Sequence, residues 1–375
     1  MKIAIDLTSL CRPITGTERV AIEMTKAIIH HSQHQYILIF RQQVHSDFSE
    51  NNPETTRILS PFKSQFLTEQ LWLPYLINKI KPDLTFFPFF PPGWFFKMPF
   101  TILIHDANMW LNLGTLSLKT KAYTKPLIER ALRKANKILV TSPFYINDLI
   151  RLTSANISRI EQVGIGISHH FAHSNYSFIK TYIRDNLTLE IKSRYCLAVG
   201  TIEPRKNYLG LVKAVHLIRN WFEKNDVKLV IVGRFGWGAH DVQKAINSYG
   251  LHKIVKIVGH IQDDVLANFY THADSFLFTS FYEGYGLPVI EAMSCGCPVL
   301  CSNIEPLNII AKDAAYFVDP KNSVAIANGI IKISEDELLR KKLIKNGYQI
   351  ANQHSWESVG ERFVEAVKRI HTTTI

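Results

Sequence analysis

At 375 residues, with 46% hydrophobic and 20% charged residues, the chain has the composition of a folded soluble protein and the length for two cores. Its 43 basic and 32 acidic residues leave a formal charge of +11, which suits an anionic partner, and no nucleic-acid-binding signature accompanies the excess. No run of about 18 apolar residues appears, so no membrane-spanning helix is expected. Asp6, inside the short opening apolar stretch, argues for a first buried strand over a secretory signal, and a cytoplasmic location follows as the expectation.

In chain order, KIAIDL (2–7), YILIF (36–40), LTFF (84–87), TILIH (101–105) and KILVTS (137–142) read as buried strands, with helical spacing over 17–32 and 118–136. The pattern then restarts. YCLAVG (195–200), KLVIVG (228–233), KIVKIVG (253–259), SFLFTS (275–280), PVLCS (298–302) and AYFVD (315–319) form a second series, with helices over 207–224, 240–249, 263–272, 287–295 and 335–352. Extra helix is expected over 180–194, and a last helix over 356–370. Alternating strands and helices predict α/β architecture: two doubly wound, mostly parallel sheets covered on both faces. The domain boundary falls between Gly166 and Arg194, where the apolar rhythm breaks.

The densest basic stretch, Lys119–Lys137, includes Lys121, Lys125, Arg130, Arg133 and Lys134, and is preceded or interleaved by Trp110, Leu111, Leu113, Leu116, Leu118 and Tyr123. It reads either as a solvated helix face or as a peripheral contact with an anionic bilayer. Five cysteines include Cys295, Cys297 and Cys301 in SCGCPVLCS. Without a nearby His or second Cys pair, these are read as small buried residues rather than metal ligands.

Ligands of open parallel sheets bind beyond the carboxyl ends of the strands, so polar residues that follow strands rank first. EGYGLPVIE (283–291) meets that test. Gly284 and Gly286 permit a tight turn, Pro288 opens a helix, and amides at the helix start suit a diphosphate. Glu291, one turn in, can reach a ribose; Glu283 can face a sugar. GTIEPRKN (200–207) begins at Gly200 and places Arg205 beside Lys206 at a strand end. Two cations at a helix start imply an anion partner. His105-Asp106 ends the strand TILIH, and TGTERVA (15–21) offers Gly16 and Thr17 after the first strand.

These residues resemble the retaining glycosyltransferase family 4, of GT-B fold. Glu283 and Glu291 around GYGLP match its double-glutamate motif, and GTIEPRKN and His105-Asp106 match two further motifs in the right order. The resemblance implies an acceptor domain (1–168), a donor domain (169–354) facing it across a cleft, and a terminal helix (355–375) crossing back to the first domain. It implies Glu291 on the ribose, and the amides of Tyr285, Gly286 and Leu287 on diphosphate and sugar. Glu283 on donor-sugar hydroxyls, His105 beside the transferred sugar, and Gly16 near phosphate or acceptor complete the set. Thr15 stands where family members commonly carry a second glycine. Within the family the chain looks most like bacterial lipopolysaccharide or capsule enzymes, often mannosyltransferases.

The expected reaction is retaining transfer of a hexosyl group, mannosyl ahead of others, to a glycan or lipid-linked oligosaccharide. GDP-mannose is the favoured donor, with a UDP-sugar as the other. The resemblance implies no metal or other cofactor, and the sequence agrees in having no Asp-x-Asp triplet, with Arg205 and Lys206 to supply the charge. A sugar-nucleotide epimerase on the same fold and a non-catalytic nucleotide-sugar-binding scaffold are the alternatives.

Overall fold

The computed structural model describes residues 1–11, 16–50, 53–111, 118–168, 171 and 194–372. Thr15, residues 180–193 of the segment expected to be helical, and Leu113 and Leu116 lie outside them, and Arg194 at that segment's end opens a strand. Two compact units result: the described residues within Met1–Gly166 together with those of His354–Ile375, and those within Ile167–Gln353.

The first unit holds β1 (Lys2–Asp6), β2 (Gln35–Arg41), β3 (Thr55–Ser60), β4 (Leu84–Phe87), β5 (Phe100–Ile104), β6 (Lys137–Val140) and β7 (Ile160–Gln162), in the order β3-β2-β1-β4-β5-β6-β7. All pairings are parallel. The central strands β1 and β5 are buried along almost their whole length and mostly apolar, as expected of a parallel sheet covered on both faces. The edge strands β3 and β7 fall outside the expected series. TTRILS mixes polar and apolar residues, and IEQ is three residues long.

The second unit repeats the plan with β8 (Arg194–Val199), β9 (Val227–Val232), β10 (Val255–Gly259), β11 (Ser275–Phe278), β12 (Val299–Ser302) and β13 (Ala315–Val318), ordered β10-β9-β8-β11-β12-β13. Helices Asp263–His272 and Leu287–Ser294 pack on one face, and Tyr208–Leu217, Ala239–Ser248 and Ser323–Glu335 on the other. The expected helix over 207–224 is divided at Ile218 into Tyr208–Leu217 and Arg219–Lys224. Ser323–Glu335 was not expected; Asn322 caps it, accepting from the amides of Val324 and Ala325. Strand order reverses between β1 and β4 in one sheet and between β8 and β11 in the other, which creates a crevice at each reversal.

Four cysteines (Cys196, Cys295, Cys297 and Cys301) are buried and none of the five is in a disulfide. Burial pushes the Cys196 and Cys295 thiols up to about 12. The basic stretch differs from its reading as one exposed face. Trp110 and Arg130 are buried, and Arg130 donates to the carbonyls of Gly93 (3.3 Å) and Phe96 (2.7 Å).

Helix Trp356–Thr372 packs in the first unit against helix Gly16–His30. Phe363 is fully buried with its ring 4.9 Å from that of Phe86, and Arg362 Nε donates to the Val163 carbonyl at 2.7 Å. Phe363→Ala is expected to cost about 3–5 kcal/mol, through lost transfer energy and a cavity. Urea unfolding reads this directly; an unchanged midpoint would place Phe363 outside the core that stabilises this unit.

Candidate donor site

The crevice between β8 and β11 is built from the two loops that leave these strands. After β8, Gly200 takes φ +141°, and a Cβ there would lie 3.2 Å from Lys206 Cε, so the backbone and the lysine stem are in close approach. Tyr208 Oη donates to the Gly200 carbonyl at 2.9 Å. Pro204–Lys206 forms a 3₁₀ turn of its own, separate from the helix that follows. Asn207, left-handed at φ +56°, then caps helix Tyr208–Leu217 by accepting from Gly210 N (3.2 Å) and donates to the Pro320 carbonyl (2.7 Å).

The two cations on this turn meet two carboxylates. Arg205 pairs with Glu203 through Nη2 at 2.7 Å and with Glu283 through Nη1 at 2.9 Å; Nη1 also donates to the Tyr282 carbonyl at 2.8 Å. Lys206 Nζ lies 2.8 Å from Glu283 Oε1 and 4.6 Å from the centre of the Phe278 ring. The Phe281 amide donates to the Arg205 carbonyl at 2.8 Å, so backbone as well as side chains join the two loops. Two positive and two negative groups sum to zero. The anions that balance Arg205 and Lys206 are therefore residues of the protein.

Burial opposes the charge on Glu283, yet Arg205 and Lys206 outweigh it and hold the carboxyl at about 2. Lys206 moves down as well: burial lowers it, and Glu283 opposes that only in part. The shifts differ in origin because Glu283 faces two cations, whereas Lys206 faces one near carboxylate and a like-charged Arg205.

Beyond Glu283 the chain turns through Gly284 and Tyr285, both half-buried, into helix Leu287–Ser294. Gly286 sits at φ +100°, and a Cβ there would fall 2.4 Å from Leu307 Cδ2, so geometry and space both demand glycine. Pro288 occupies the first turn, where its missing N–H costs no helical bond, and the positive helix end meets the Gly284–Leu287 turn. Glu291 is buried, and its Oε2 accepts from Tyr270 Oη at 3.1 Å.

The other expected residues belong to the first unit. Gly16 opens helix Gly16–His30, exposed, with open space where a Cβ would stand; Thr17 follows, half-buried, with Oγ1 3.4 Å from Glu18 Oε2. His105 follows β5, and its Nε2 lies 2.9 Å from the Pro88 carbonyl. A carbonyl only accepts, which assigns the proton to Nε2 and the lone pair to Nδ1. Burial lowers the His105 pKa, so the imidazole is neutral at pH 7. Asp106 Oδ1 accepts from the Asn108 amide at 2.9 Å.

Residues 180–350 match the family model "Glycosyl transferases group 1". That stretch is a glycosyltransferase group 1 domain. Among curated proteins, the O-antigen chain mannosyltransferase B of Escherichia coli is 30% identical over 247 residues, covering 66% of this chain and 64% of that protein, just under two thirds of its length. Among solved structures, sucrose-phosphate synthase from Thermosynechococcus elongatus is similar at TM-score 0.77 and 20% identity over 99% of both chains. Anabaena HepE in complex with UDP-glucose is similar at TM-score 0.74 and 18% identity, over 98% of this chain and 100% of that one. The two parallel-sheet units are those of the expected GT-B fold.

The glycosyltransferase domain holds one residue that the motif reading passed over. Glu203 stood in GTIEPRKN, and its signal was the i, i+2 spacing to Arg205 across Pro204. In the first unit, Asp6 is expected in a first buried strand and is not among the candidate site residues. It is the last residue of β1 at the other crevice. Burial pushes its carboxyl up to about 6, against hydrogen bonds from Thr8 and the charge of Arg41.

The pH dependence of the ion network has a definite sign. Glu283 falls from its ordinary 4.5 to about 2 in the folded domain, so its ion pairs contribute fully above the unfolded value and are lost as pH falls through the folded one. Glu283→Gln should destabilise the chain most above about pH 4.5, with the gap to wild type narrowing toward about pH 3. Denaturant titrations at a series of pH values measure it; a gap independent of pH would mean that the carboxylate charge is not what holds the loops.

Proposed function

We propose that the chain transfers a hexosyl group, mannosyl by preference, from a nucleoside-diphosphate sugar to a hydroxyl of a glycan or lipid-linked oligosaccharide, with retention and without a metal or other cofactor. The observation that carries this reading is the charge-balanced Glu203–Arg205–Glu283–Lys206 network beside the glycine-opened helix Leu287–Ser294. Three N–H bonds are available to an ammonium, and Lys206 directs one at Glu283. It therefore keeps donors for a diphosphate oxygen, and the helix start adds its positive end. Arg205, pinned by Glu203, Glu283 and the Tyr282 carbonyl, holds both loops in place for that contact. Ionised Glu283 accepts from donor-sugar hydroxyls, and Glu291 from the ribose. Neutral His105 offers Nδ1 as an acceptor to the transferred sugar. Mannose is supported by the O-antigen mannosyltransferase relative, and a nucleotide sugar by the neighbour described in complex with UDP-glucose.

With Glu291 on the ribose, no acid–nucleophile carboxylate pair flanks the scissile bond, unlike retaining glycosidases. Front-face substitution follows, in which the departing phosphate takes the acceptor proton. Thermal unfolding against UDP-, GDP- and ADP-sugars, with and without EDTA, tests the donor: a ligand at about 100 times its Kd adds about 2.7 kcal/mol. GDP-mannose should stabilise equally with EDTA present, and Lys206→Ala should lower kcat by about 10²–10³-fold. Product NMR showing an inverted anomeric centre would overturn the mechanism, and a folded Lys206→Ala with normal turnover would remove the lysine from it.

Peripheral contact with an anionic membrane belongs to the same proposal, on a surface wider than the Lys119–Lys137 stretch. No helix among the described residues is long and apolar enough to cross a membrane. Phe66, Leu71, Tyr75, Trp94, Phe95 and Tyr123 are exposed. Gln70 joins their segments, donating to Tyr123 Oη at 2.8 Å and accepting from the Trp94 amide at 2.9 Å. Lys63 and Lys97 are exposed on the same segments. Aromatic and basic residues together suit a headgroup interface. The chain should co-sediment with phosphatidylglycerol vesicles and not with phosphatidylcholine ones, and Phe66→Ser/Phe95→Ser should abolish this; equal sedimentation of variant and wild type would sink the assignment.

A further inference from the structure

Directly after β9 the chain reads Arg234-Phe235-Gly236-Trp237-Gly238, and Phe235 and Trp237 are 65% and 55% exposed. Two large exposed rings two residues apart on one loop make a local apolar surface, the kind that marks a binding site more often than a single exposed ring does. Their backbone is held firmly. Ile202 N donates to the Arg234 carbonyl (2.9 Å), Gly238 N to the Ile202 carbonyl (3.3 Å), and Ile202 and Phe235 form a parallel bridge. Ile202 itself is fully buried. A Cβ on Gly236 would lie 2.6 Å from the Ile202 carbonyl oxygen, and one on Gly238 3.2 Å from Pro204 Cδ. Both glycines thus turn their bare sides to residues 202–204, and the alternating Phe235 and Trp237 are left to the outside. The loop lies on the very segment that carries Glu203, Arg205 and Lys206.

The two faces of the sheet say which part of a ligand would meet these rings. Glu291 and Tyr270 sit on helices of one face, whereas residues 234–238 lead into helix Ala239–Ser248 on the other. If Glu291 takes the ribose, as proposed above, the nucleoside lies toward the first face and the rings stand toward the opposite end of the ligand. A hexopyranose presents an apolar C–H face ringed by hydroxyls, which suits a rigid aromatic surface beside a polar cluster.

We propose that Phe235 and Trp237 form a stacking platform for a pyranose ring of the acceptor glycan. This rests on the transferase reading for its orientation, and the test separates the two. In the full chain, Trp237→Ala should raise the acceptor KM for a mannotetraose by about tenfold. Its kcat and donor KM should stay near wild type, and Trp237→Phe should recover most of the loss. Saturation-transfer NMR with manno-, gluco- and galacto-tetraose reads binding without turnover. Loss of transfer to the preferred tetraose in Trp237→Ala supports the platform. Unchanged acceptor binding overturns it, as does a rise confined to donor KM, which would assign the rings to the nucleobase. A wild-type chain that binds none of the three glycans also overturns it. Glycan binding through Trp237 without transfer from any nucleotide sugar would sink the transferase reading and leave the platform standing.

Discussion

The carboxylate of Glu283, gripped from two sides by Arg205 and Lys206, is the contact on which the candidate site depends. Parallel strands β8 and β11 fix where two loops start but not where they go, and the reversal of strand order leaves the loops a crevice to cross. Ion pairs of Arg205 and Lys206 with the sequence-distant Glu283 close it, with the Phe281 amide bonded to the Arg205 carbonyl as a backbone seam. All four side chains are 14% exposed or less, so each charge has lost much of its water and relies on its partners. Breaking such a network leaves an uncompensated charge, which costs more than the intact network contributes.

Charge balance also shapes recognition. A bare pair of cations would attract any anion by long-range field alone. Here Glu203 and Glu283 cancel Arg205 and Lys206, and what is left is short-range and directional: the spare donors of one ammonium and the start of one helix. Such a site selects by geometry more than by charge. The first unit contrasts with it. At its strand ends stand Asp6, whose carboxyl lies at about 6, and His105, neutral and fixed in one tautomer by Pro88. Each can accept a hydrogen bond, Asp6 through a carboxylate and His105 through Nδ1, whereas the second unit carries four charges paired among themselves.

Strands with continuous apolar runs were legible because burial on both faces leaves no room for polar residues. β3 and β7 were not, since edge strands are covered less and carry Thr56, Arg57 and Glu161 at least partly exposed. Helix Ser323–Glu335 escaped for a different reason: Val324, Ile326, Ile330, Ile331 and Ile333 are β-branched, and packing against the sheet overrides their weak helix preference. The site motifs were visible as residue types at strand ends, but their pairing was not. The anion expected for Arg205 and Lys206 rested on a helix start, whereas the structure puts both on a separate 3₁₀ turn and pairs them with Glu203 and Glu283. Nothing local indicated that the anion was Glu283, across the sheet. Arg130 shows the same limit: in a run of basic residues it reads as solvated, yet its guanidinium is buried on the Gly93 and Phe96 carbonyls.

The position of Lys206 is finally set from the β9 side as well. Ile202 is buried, bridges to Phe235, and exchanges backbone hydrogen bonds with Arg234 and Gly238, so the chain from β8 to Pro204 is pressed between its own sheet and the loop above it. Gly236 and Gly238 make that contact possible because no side chain stands between the two backbones. With the turn held from one side by this seam and from the other by Glu283, the lysine has little freedom to move. The order that fixes the ammonium is therefore inseparable from the order that fixes the two exposed rings, and a ligand that touches both would find each already in place.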